Sequence, residues 1–325
     1  MVAKTYKQDE FYLRDNLDEL QDYLLKEDYD GIDELVFLRT VSVHKTQKCS
    51  ESDILDIKSD DILALWEKTT TSIIQATRHL KDEIGITSPK ILPYSTMLVP
   101  LSYFFFRLGN KTFHEEYKSA INKWFWRSSL SGRYQAHTNE IIHNDCLWFD
   151  ELIQNKTYEP RVPKFEINEE TILETVLNLN NASSNSILCL LASKKPIDFY
   201  NHQTIKINEV LIKGKKSELH HIFPRNSKTG KENSNNIDSI ANICFLPRDT
   251  NRLFSNKEPS NYFSISLKNN SIYFLSDLET HLIPPSNNSP IWTDEYDKFL
   301  KQRATLIKNE INKILDYLEI LPEDN

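Results

Sequence analysis

Glycine and cysteine are scarce in this chain, and their scarcity argues against several classes of protein. Glycine accounts for only 6 of the 325 residues. Neither G-x-G-x-x-G nor G-x-x-x-x-G-K-[ST] occurs, so the sequence contains no dinucleotide-binding fingerprint and no P-loop. The 4 cysteines are far apart and form no C-x-x-C pair, which argues against a zinc ribbon or knuckle. Isolated cysteines of this kind are typical of a cytosolic protein with reduced thiols.

Long apolar runs are also missing. The most apolar stretch, Ile91 to Leu108, is interrupted by Pro93, Pro100 and polar residues. A membrane-spanning helix needs about 20 predominantly apolar residues in succession, so we expect this stretch to form a buried helix. The N-terminal residues MVAKTYKQDE are polar and do not resemble a signal peptide. The sequence therefore predicts a cytoplasmic protein without a membrane partner.

Positive charge is in deficit over the whole chain but not locally. The formal net charge is −8, which argues against a uniformly basic nucleic-acid-binding protein. Residues 1–60 hold 8 Lys and Arg against 15 Asp and Glu, a net of −7, whereas residues 206–257 hold 10 against 5, a net of +5. Because attraction to phosphate is short-ranged in salt, the second segment can bind DNA although the whole chain is acidic.

The pattern of apolar residues predicts a mainly α-helical protein with two domains. Apolar residues recur at helical spacing through much of the first half of the chain. The helices predicted there are Asp61–Ile84, Leu98–Leu108, Phe113–Trp126 and Thr138–Leu152. A polar stretch with prolines, Tyr158 to Lys164, is typical of a linker. We therefore place a helical domain, for scaffolding or partner binding, at residues 1–160 and a second domain at residues 161–325.

The pattern changes within the second domain. Strands are predicted at Ile205–Ile212, Ser217–Ile222 and Ile240–Leu246, with a polar loop at Asn226–Asn236. Helices are predicted at Glu169–Leu179, Ser186–Ala192, Arg248–Phe254 and Trp292–Leu321, the last of them long, amphipathic and capped by Thr293. Strand, loop, strand and helix thus follow one another from about residue 217.

Two adjacent histidines end the second predicted strand, in the sequence HHIFP. Neighbours on a strand point to opposite faces, so His220 and His221 can perform different tasks. One imidazole can bind a metal ion, and the other can act as a general base, because the unperturbed pKa of histidine is about 6.5. Asn242, on the next strand, can accept the ring N–H of His221. Asn251, in the following helix, can turn its amide oxygen to a hard cation such as Mg²⁺, which needs only one or two protein ligands.

These residues resemble a known family. HHIFP, then SIAN, then a TNR whose Asn251 lies nine residues after Asn242, resembles the HNH (His-Me finger) endonucleases. The sequence is most similar to the HNH domain of GmrSD-type modification-dependent restriction endonucleases, over about residues 196–262. Upstream, LPYSTMLVPLSYFFF and KWFWRSSLSGRY resemble, more weakly, the helical region that precedes this domain in single-chain members.

The resemblance implies a ββα-metal finger at about residues 217–262. In the family pattern His220 and Asn251 are the metal ligands, His221 is the general base, and Asn242 orients that base. The sensor and nucleotide-hydrolysing domain of these systems, with its DGQQR-like motif, does not occur in this sequence. Nucleotide dependence is therefore not implied, and a separate sensor subunit becomes an expected partner.

Several basic residues are candidates to contact DNA phosphates. They are Arg225, Arg248, Arg252, Lys257 and, in the first domain, Arg133. Arg252 and Lys257 follow Asn251 near a helix start, where an anion is already favoured. For Arg133, a structural salt bridge is an equally good interpretation.

The sequence thus predicts a metal-dependent endonuclease or nickase that cleaves DNA, modified or unmodified, in a restriction or antiviral defence system. The expected cofactor is a divalent metal ion, Mg²⁺, with Mn²⁺ and Ni²⁺ as alternatives. Two other hypotheses stay open. In the first, the chain is a catalytically silent DNA-binding or scaffolding subunit of such a system. In the second, it is a nuclease directed at RNA.

Overall fold

This computed structural model describes residues 7–8, 11–164, 166–211 and 219–320, and it is mainly α-helical, as predicted. The chain divides into two compact units, of which the first comprises Met1–Phe165 with Leu318–Asn325 and the second Glu166–Tyr317. Within the described ranges, no helix combines the length and the apolar character that a membrane crossing requires. All 4 cysteines are buried and free.

The first unit begins with a short hairpin of β1 (Lys7–Gln8) and β2 (Phe11–Tyr12). The helices that follow are α1 (Leu13–Lys26), α2 (Glu34–Thr46), α3 (Glu51–Leu55), α4 (Ser59–His79), α5 (Leu98–Leu108), α6 (Glu115–Leu130) and α7 (Thr138–Ile153). A π-helical turn, Leu80–Ile84, extends α4. The helices predicted for this half of the chain therefore form, with small shifts at their ends.

Helix α5 lies at the centre of the first unit, where it packs against α2, α4 and α7. Almost all of its side chains are buried, as the prediction of a buried helix required. Pro100 lies in its first turn, where the missing N–H removes no intrahelical hydrogen bond. Trp124 and Phe125 of α6 are also fully buried and belong to the core of this unit.

The second unit contains a hairpin that pairs β3 (His220–His221) with β4 (Ile243–Cys244) in antiparallel fashion. After residue 165, the chain forms the helices α8 (Glu169–Glu174), α9 (Ala182–Ser193), α10 (Ile207–Leu211), α11 (Lys228–Glu232), α12 (Arg248–Phe254), α13 (Pro259–Asn269), α14 (Phe274–Thr280) and α15 (Tyr296–Ile320). Helix α12 has the bounds that the sequence predicted.

The strand predictions need correction. The predicted strand at Ile205–Ile212 contains helix α10 instead, because its apolar residues 207, 210 and 211 are buried at helical spacing, and its last residue lies outside the described ranges. The predicted strand at Ser217–Ile222 pairs only at its two histidines, and its first two residues lie outside the described ranges. The predicted strand at Ile240–Leu246 begins as a 3₁₀ turn and pairs only over β4.

The predicted loop at Asn226–Asn236 contains helix α11, which a side chain and a glycine make possible. The Ser227 hydroxyl caps this helix by accepting the N–H of Gly230 at 3.0 Å. A Cβ atom at Gly230 would stand 2.0 Å from the carbonyl oxygen of Pro224. Only glycine therefore lets α11 close onto the backbone that follows the two histidines.

Helix α15 begins four residues later than predicted, at Tyr296, and Thr293 is not its cap. The residues before it form a 3₁₀ turn, Pro290–Trp292, and Asp294 has a left-handed backbone with φ of 56°. The Asp294 carboxylate accepts the backbone N–H of Ser260 at 2.8 Å, which fixes this break against α13. On its predicted apolar face, the buried residues are Tyr296, Phe299, Leu300, Ile307 and Ile311, and Ile314 and Leu315 are half-buried.

Arg303 of α15 is fully buried and carries hydrogen bonds that connect distant segments of the second unit. Its guanidinium donates to the carbonyl oxygen of Ala241 at 2.7 Å and to that of His281 at 3.0 Å. Burial lowers the pKa of Arg303 to about 10, so the group stays charged at neutral pH. It holds the turn that leads into β4 in place.

We expect Arg303→Ala to destabilise the second unit by about 3–5 kcal/mol, because it leaves two buried carbonyls without donors and opens a cavity. The measurement is the free energy of urea unfolding of the full chain. Lys301→Ala is the matched control, since Lys301 is exposed on the same helix and should change stability by less than about 0.5 kcal/mol. Equal unfolding midpoints for the two variants would contradict this role of Arg303.

Candidate functional site

The candidate site is formed by the β3–β4 hairpin and helix α12. In the hairpin, His220 lies opposite Cys244 and His221 opposite Ile243. Three residues, Phe245 to Pro247, connect β4 to α12. The chain order of strand, long connection, strand and helix brings the two adjacent histidines close to Asp238 of the connection and Asn251 of α12.

His220 and Asn251 form the inner pair of the site. The Nδ1 atom of His220 donates a hydrogen bond to Oδ1 of Asn251 at 2.8 Å. His220 is almost fully buried and its ring lies edge-on to Tyr262, whereas Asn251 is half-buried. Burial lowers the pKa of His220 to about 4, despite the hydrogen bond to Asn251, so the ring is neutral at pH 7.

This pair fits a divalent metal ion. Neutral imidazole and amide oxygen are both donors to such ions. Two adjacent ligands of an octahedral ion, with bonds of about 2.0–2.1 Å, are about 2.9 Å apart, close to the 2.8 Å between Nδ1 and Oδ1. The Nε2 atom of His220 is buried without a hydrogen-bond partner in the described part of the chain. Binding through Nδ1 requires the ring proton to move to Nε2, whose lone pair is held by no donor in the described residues.

His221 faces a different partner from the one that the sequence predicted. Its Nε2 atom donates to Oδ1 of Asp238 at 2.8 Å, and the same oxygen accepts Nε of Arg225 at 2.7 Å. Because a carboxylate can only accept, Nε2 carries the proton and Nδ1 keeps a lone pair. Burial lowers the pKa of His221, while Asp238 opposes that shift and Arg225 adds to it.

Among the described residues, the hydrogen bonds of the Asn242 side chain go to the backbone and not to the His221 ring, which corrects the contact predicted for it. Its Oδ1 accepts the backbone N–H of Phe223 at 2.8 Å, and its amide group donates to the carbonyl oxygens of Phe223 at 3.1 Å and Ile237 at 2.9 Å. Asn242 thus connects the backbone just after His221 to the backbone just before Asp238. It therefore fixes His221 relative to Asp238 only through the backbone, by holding these two segments together.

The predicted DNA-contacting residues are distributed unevenly. Arg225 is exposed and bonded to Asp238, and Arg248, Arg252 and Lys257 are exposed on or just after α12. Arg133 lies in the first unit, where it forms a 2.6 Å salt bridge with the buried Asp145. Of the two interpretations that the sequence allowed for Arg133, a phosphate contact and a structural salt bridge, this contact is the salt bridge.

The sequence did not indicate Asp238, which bonds to His221, or Arg303, which supports the turn before β4. Asp238 lies in a turn four residues before Asn242, and no periodicity marks its side chain as facing His221. Its position in DSIAN, directly before the second strand, is the one available signal. Arg303 is separated from the hairpin by about 60 residues of sequence, and nothing in an amphipathic helix indicates that one arginine faces inward.

Comparison with known proteins adds little to this description. No protein-family model matches the chain. The chain is similar to the "Uncharacterized protein MJ0686" of Methanocaldococcus jannaschii, with 32% identity over 147 residues. That match covers 44% of this chain and 24% of the archaeal protein, so the chain spans about a quarter of the length of its relative.

Proposed function

We propose that the chain is a metal-dependent endonuclease or nickase that acts on DNA, and that the β3–β4 hairpin with α12 is a ββα-metal finger of the HNH type. One observation carries the proposal. His220 and Asn251 approach each other within 2.8 Å, while the adjacent His221 is bonded through Nε2 to a carboxylate. A two-ligand pair for a cation and an oriented imidazole on neighbouring residues are what hydrolysis of a phosphodiester needs.

In the proposed mechanism, His221 takes a proton from water through the lone pair on Nδ1. The water oxygen forms a bond to phosphorus as the bond from phosphorus to the 3′ oxygen breaks. The 3′ oxygen takes a proton from solvent, and the imidazolium returns its proton to solvent. The carboxylate of Asp238 accepts the N–H of the resulting imidazolium throughout. A divalent ion held by His220 and Asn251 would supply Lewis-acid stabilisation of the charge that develops on the phosphate.

The proposed substrate follows from local charge. Arg248, Arg252 and Lys257 lie exposed on and after the helix that carries Asn251. Such a group of cations can hold a phosphate backbone next to the reacting bond. The wider context, a restriction or antiviral system with a separate sensor subunit and modified DNA as target, is proposed from the resemblance of HHIFP, SIAN and TNR to the GmrSD-type enzymes.

A second candidate function, a catalytically silent DNA-binding or scaffolding subunit, is favoured by one observation. The hydrogen bond between His220 and Asn251 satisfies both atoms without any ion, and His220 is almost fully buried. A pair that is hydrogen-bonded in this way without metal also suits a purely structural role. Catalysis therefore has to be measured.

The proposed function is tested with the full chain and supercoiled plasmid in the presence of Mg²⁺, Mn²⁺ or Ni²⁺. We expect nicked or linear DNA with metal and none with EDTA. Labelled single-stranded RNA in a parallel reaction distinguishes a nuclease directed at RNA. DNA binding without cleavage under any ion would favour the silent subunit, and neither binding nor cleavage would reject both.

We expect the double change Arg252→Gln with Lys257→Gln to weaken DNA binding and to reduce the dependence of log Kd on log salt by about 2, because about two phosphate contacts are lost. The control is Lys68→Gln with Lys111→Gln, which removes two exposed charges from the acidic first unit. Binding curves at four salt concentrations give the slopes. An equal loss in both double variants would show that the effect is one of net charge alone.

A further inference from the structure

The carboxylate of Asp238 is the least expected feature of the site. The carboxylate lies 2.8 Å from Nε2 of His221. The backbone around Asp238 is held by hydrogen bonds both to an earlier segment of the chain and to Asn242. The carbonyl oxygen of Asp238 accepts the N–H of Leu177 at 2.8 Å, and the neighbouring Ser239 hydroxyl donates to the carbonyl oxygen of Leu173 at 2.8 Å. On the other side, Asn242 holds the carbonyl oxygen of Ile237.

This arrangement constrains the base more than a single hydrogen bond could. The amide group of Asn242 bonds to Phe223, two residues after His221, and to Ile237, one residue before Asp238. Asn242 is fully buried. The distance between the imidazole and the carboxylate is therefore set by buried backbone contacts, although the Asp238 side chain itself is partly exposed.

We infer that Asp238 is the positioning residue of the general base, holding His221 with Nε2 protonated and Nδ1 directed to water. The inference rests on the proposed function for its catalytic meaning, but the hydrogen bond can be tested without any reaction. An aspartate suits this task because it accepts only from Nε2 and stabilises the imidazolium that forms when Nδ1 is protonated. An asparagine at this position could donate its amide N–H instead and select the wrong tautomer.

Arg225 gives this positioning residue a second contact. Its Nε atom donates to the same carboxylate oxygen at 2.7 Å, and its side chain is half exposed. The guanidinium balances the charge of Asp238 when His221 is neutral. It therefore keeps the carboxylate in place between turnovers, when no imidazolium is present to attract it.

The first test compares Asp238→Ala and Asp238→Asn with Glu232→Ala, which removes an exposed carboxylate from the same long connection. We expect kcat for plasmid nicking to fall about 10–100-fold in both Asp238 variants, with KM, Mn²⁺ affinity and thermal midpoint nearly unchanged. Added formate should restore part of the rate of Asp238→Ala, because it can occupy the space of the missing carboxylate. No loss of kcat, or an equal loss in Glu232→Ala, would overturn the inference.

The second test does not depend on activity. In metal-free protein labelled with ¹⁵N-histidine, the Nε2–H proton of His221 should give a slowly exchanging, downfield resonance that Asp238→Ala removes and Glu232→Ala retains. An unchanged resonance in Asp238→Ala would overturn the inference. If the resonance behaves as expected but wild-type protein cuts no nucleic acid, the positioning contact stands and the proposed nuclease function fails.

Discussion

Replacing His221 by alanine is expected to lower the rate of DNA cleavage by about 10²–10⁴-fold, the usual contribution of a positioned general base. The reason is geometric. With Nε2 bonded to Asp238, Nδ1 is the nitrogen left to accept a proton from water. Among the described residues the His221 ring hydrogen-bonds to the partly exposed Asp238 alone, so we expect the fold to be retained. DNA affinity should also be retained, because phosphate contacts lie on other residues.

The chain offers a matched control for this variant. His202 also pairs with a carboxylate, with Nδ1 2.9 Å from Oδ1 of Asp277, and it lies in the same unit. His202→Ala should therefore remove a histidine–aspartate pair without lowering the rate of nicking. Rates are measured on supercoiled plasmid at saturating metal, with DNA affinity followed separately by gel shift. Cleavage by His221→Ala within a few-fold of wild type would show that His221 is not the base.

The helical framework could be predicted because its signals are local. Helices α5 and α12 have the predicted bounds, since apolar spacing and flanking residues mark both of them. Errors arose where a tertiary contact overrides the local pattern. The late start of α15 follows from the bond between Asp294 and Ser260, two residues that are 34 positions apart. A one-dimensional pattern does not contain that contact.

The candidate site was predictable in its residue types and not in all of its contacts. The pairing of His220 with Asn251 was expected, because the resemblance assigns both to one task. The predicted partner of His221 was wrong. Asn242 is hydrogen-bonded to the backbone, and Asp238 is hydrogen-bonded to the His221 ring. Side-chain alternation holds only within a paired strand, and each strand here is two residues long. Alternation therefore does not predict that the side chain of Asp238, in the turn before β4, faces His221. Only the folded hairpin shows that Asp238, and not Asn242, is the partner of His221.

The second large effect concerns the metal ion. Because the pair of His220 and Asn251 contains no carboxylate, a bound ion keeps its full charge for the phosphate. Imidazole suits Mn²⁺ and Ni²⁺ at least as well as Mg²⁺, so we expect either ion to support nicking at least as well as Mg²⁺. Ca²⁺ should bind but support little turnover, and EDTA should abolish activity.

Changing the two proposed ligands should change this preference. Asn251→Asp places a carboxylate at a half-buried position, and His220→Asp places one at a buried position. Both variants should move the preference toward Mg²⁺, a hard ion that favours carboxylate oxygen. His220→Asp should also lose stability without metal, because it buries an unpaired carboxyl group, and should regain stability as metal is added. Asn251→Asp should lose less.

The measurement is the initial rate of plasmid nicking with each ion in turn, together with the thermal midpoint of each variant with and without metal. The thermal midpoints separate a failure to fold from a change of ligand preference, because they report metal binding even where no cleavage occurs. Full activity of the wild type in EDTA would show that no ion takes part. An unchanged order of metal preference in a folded Asn251→Asp variant would show that this pair does not hold the catalytic ion.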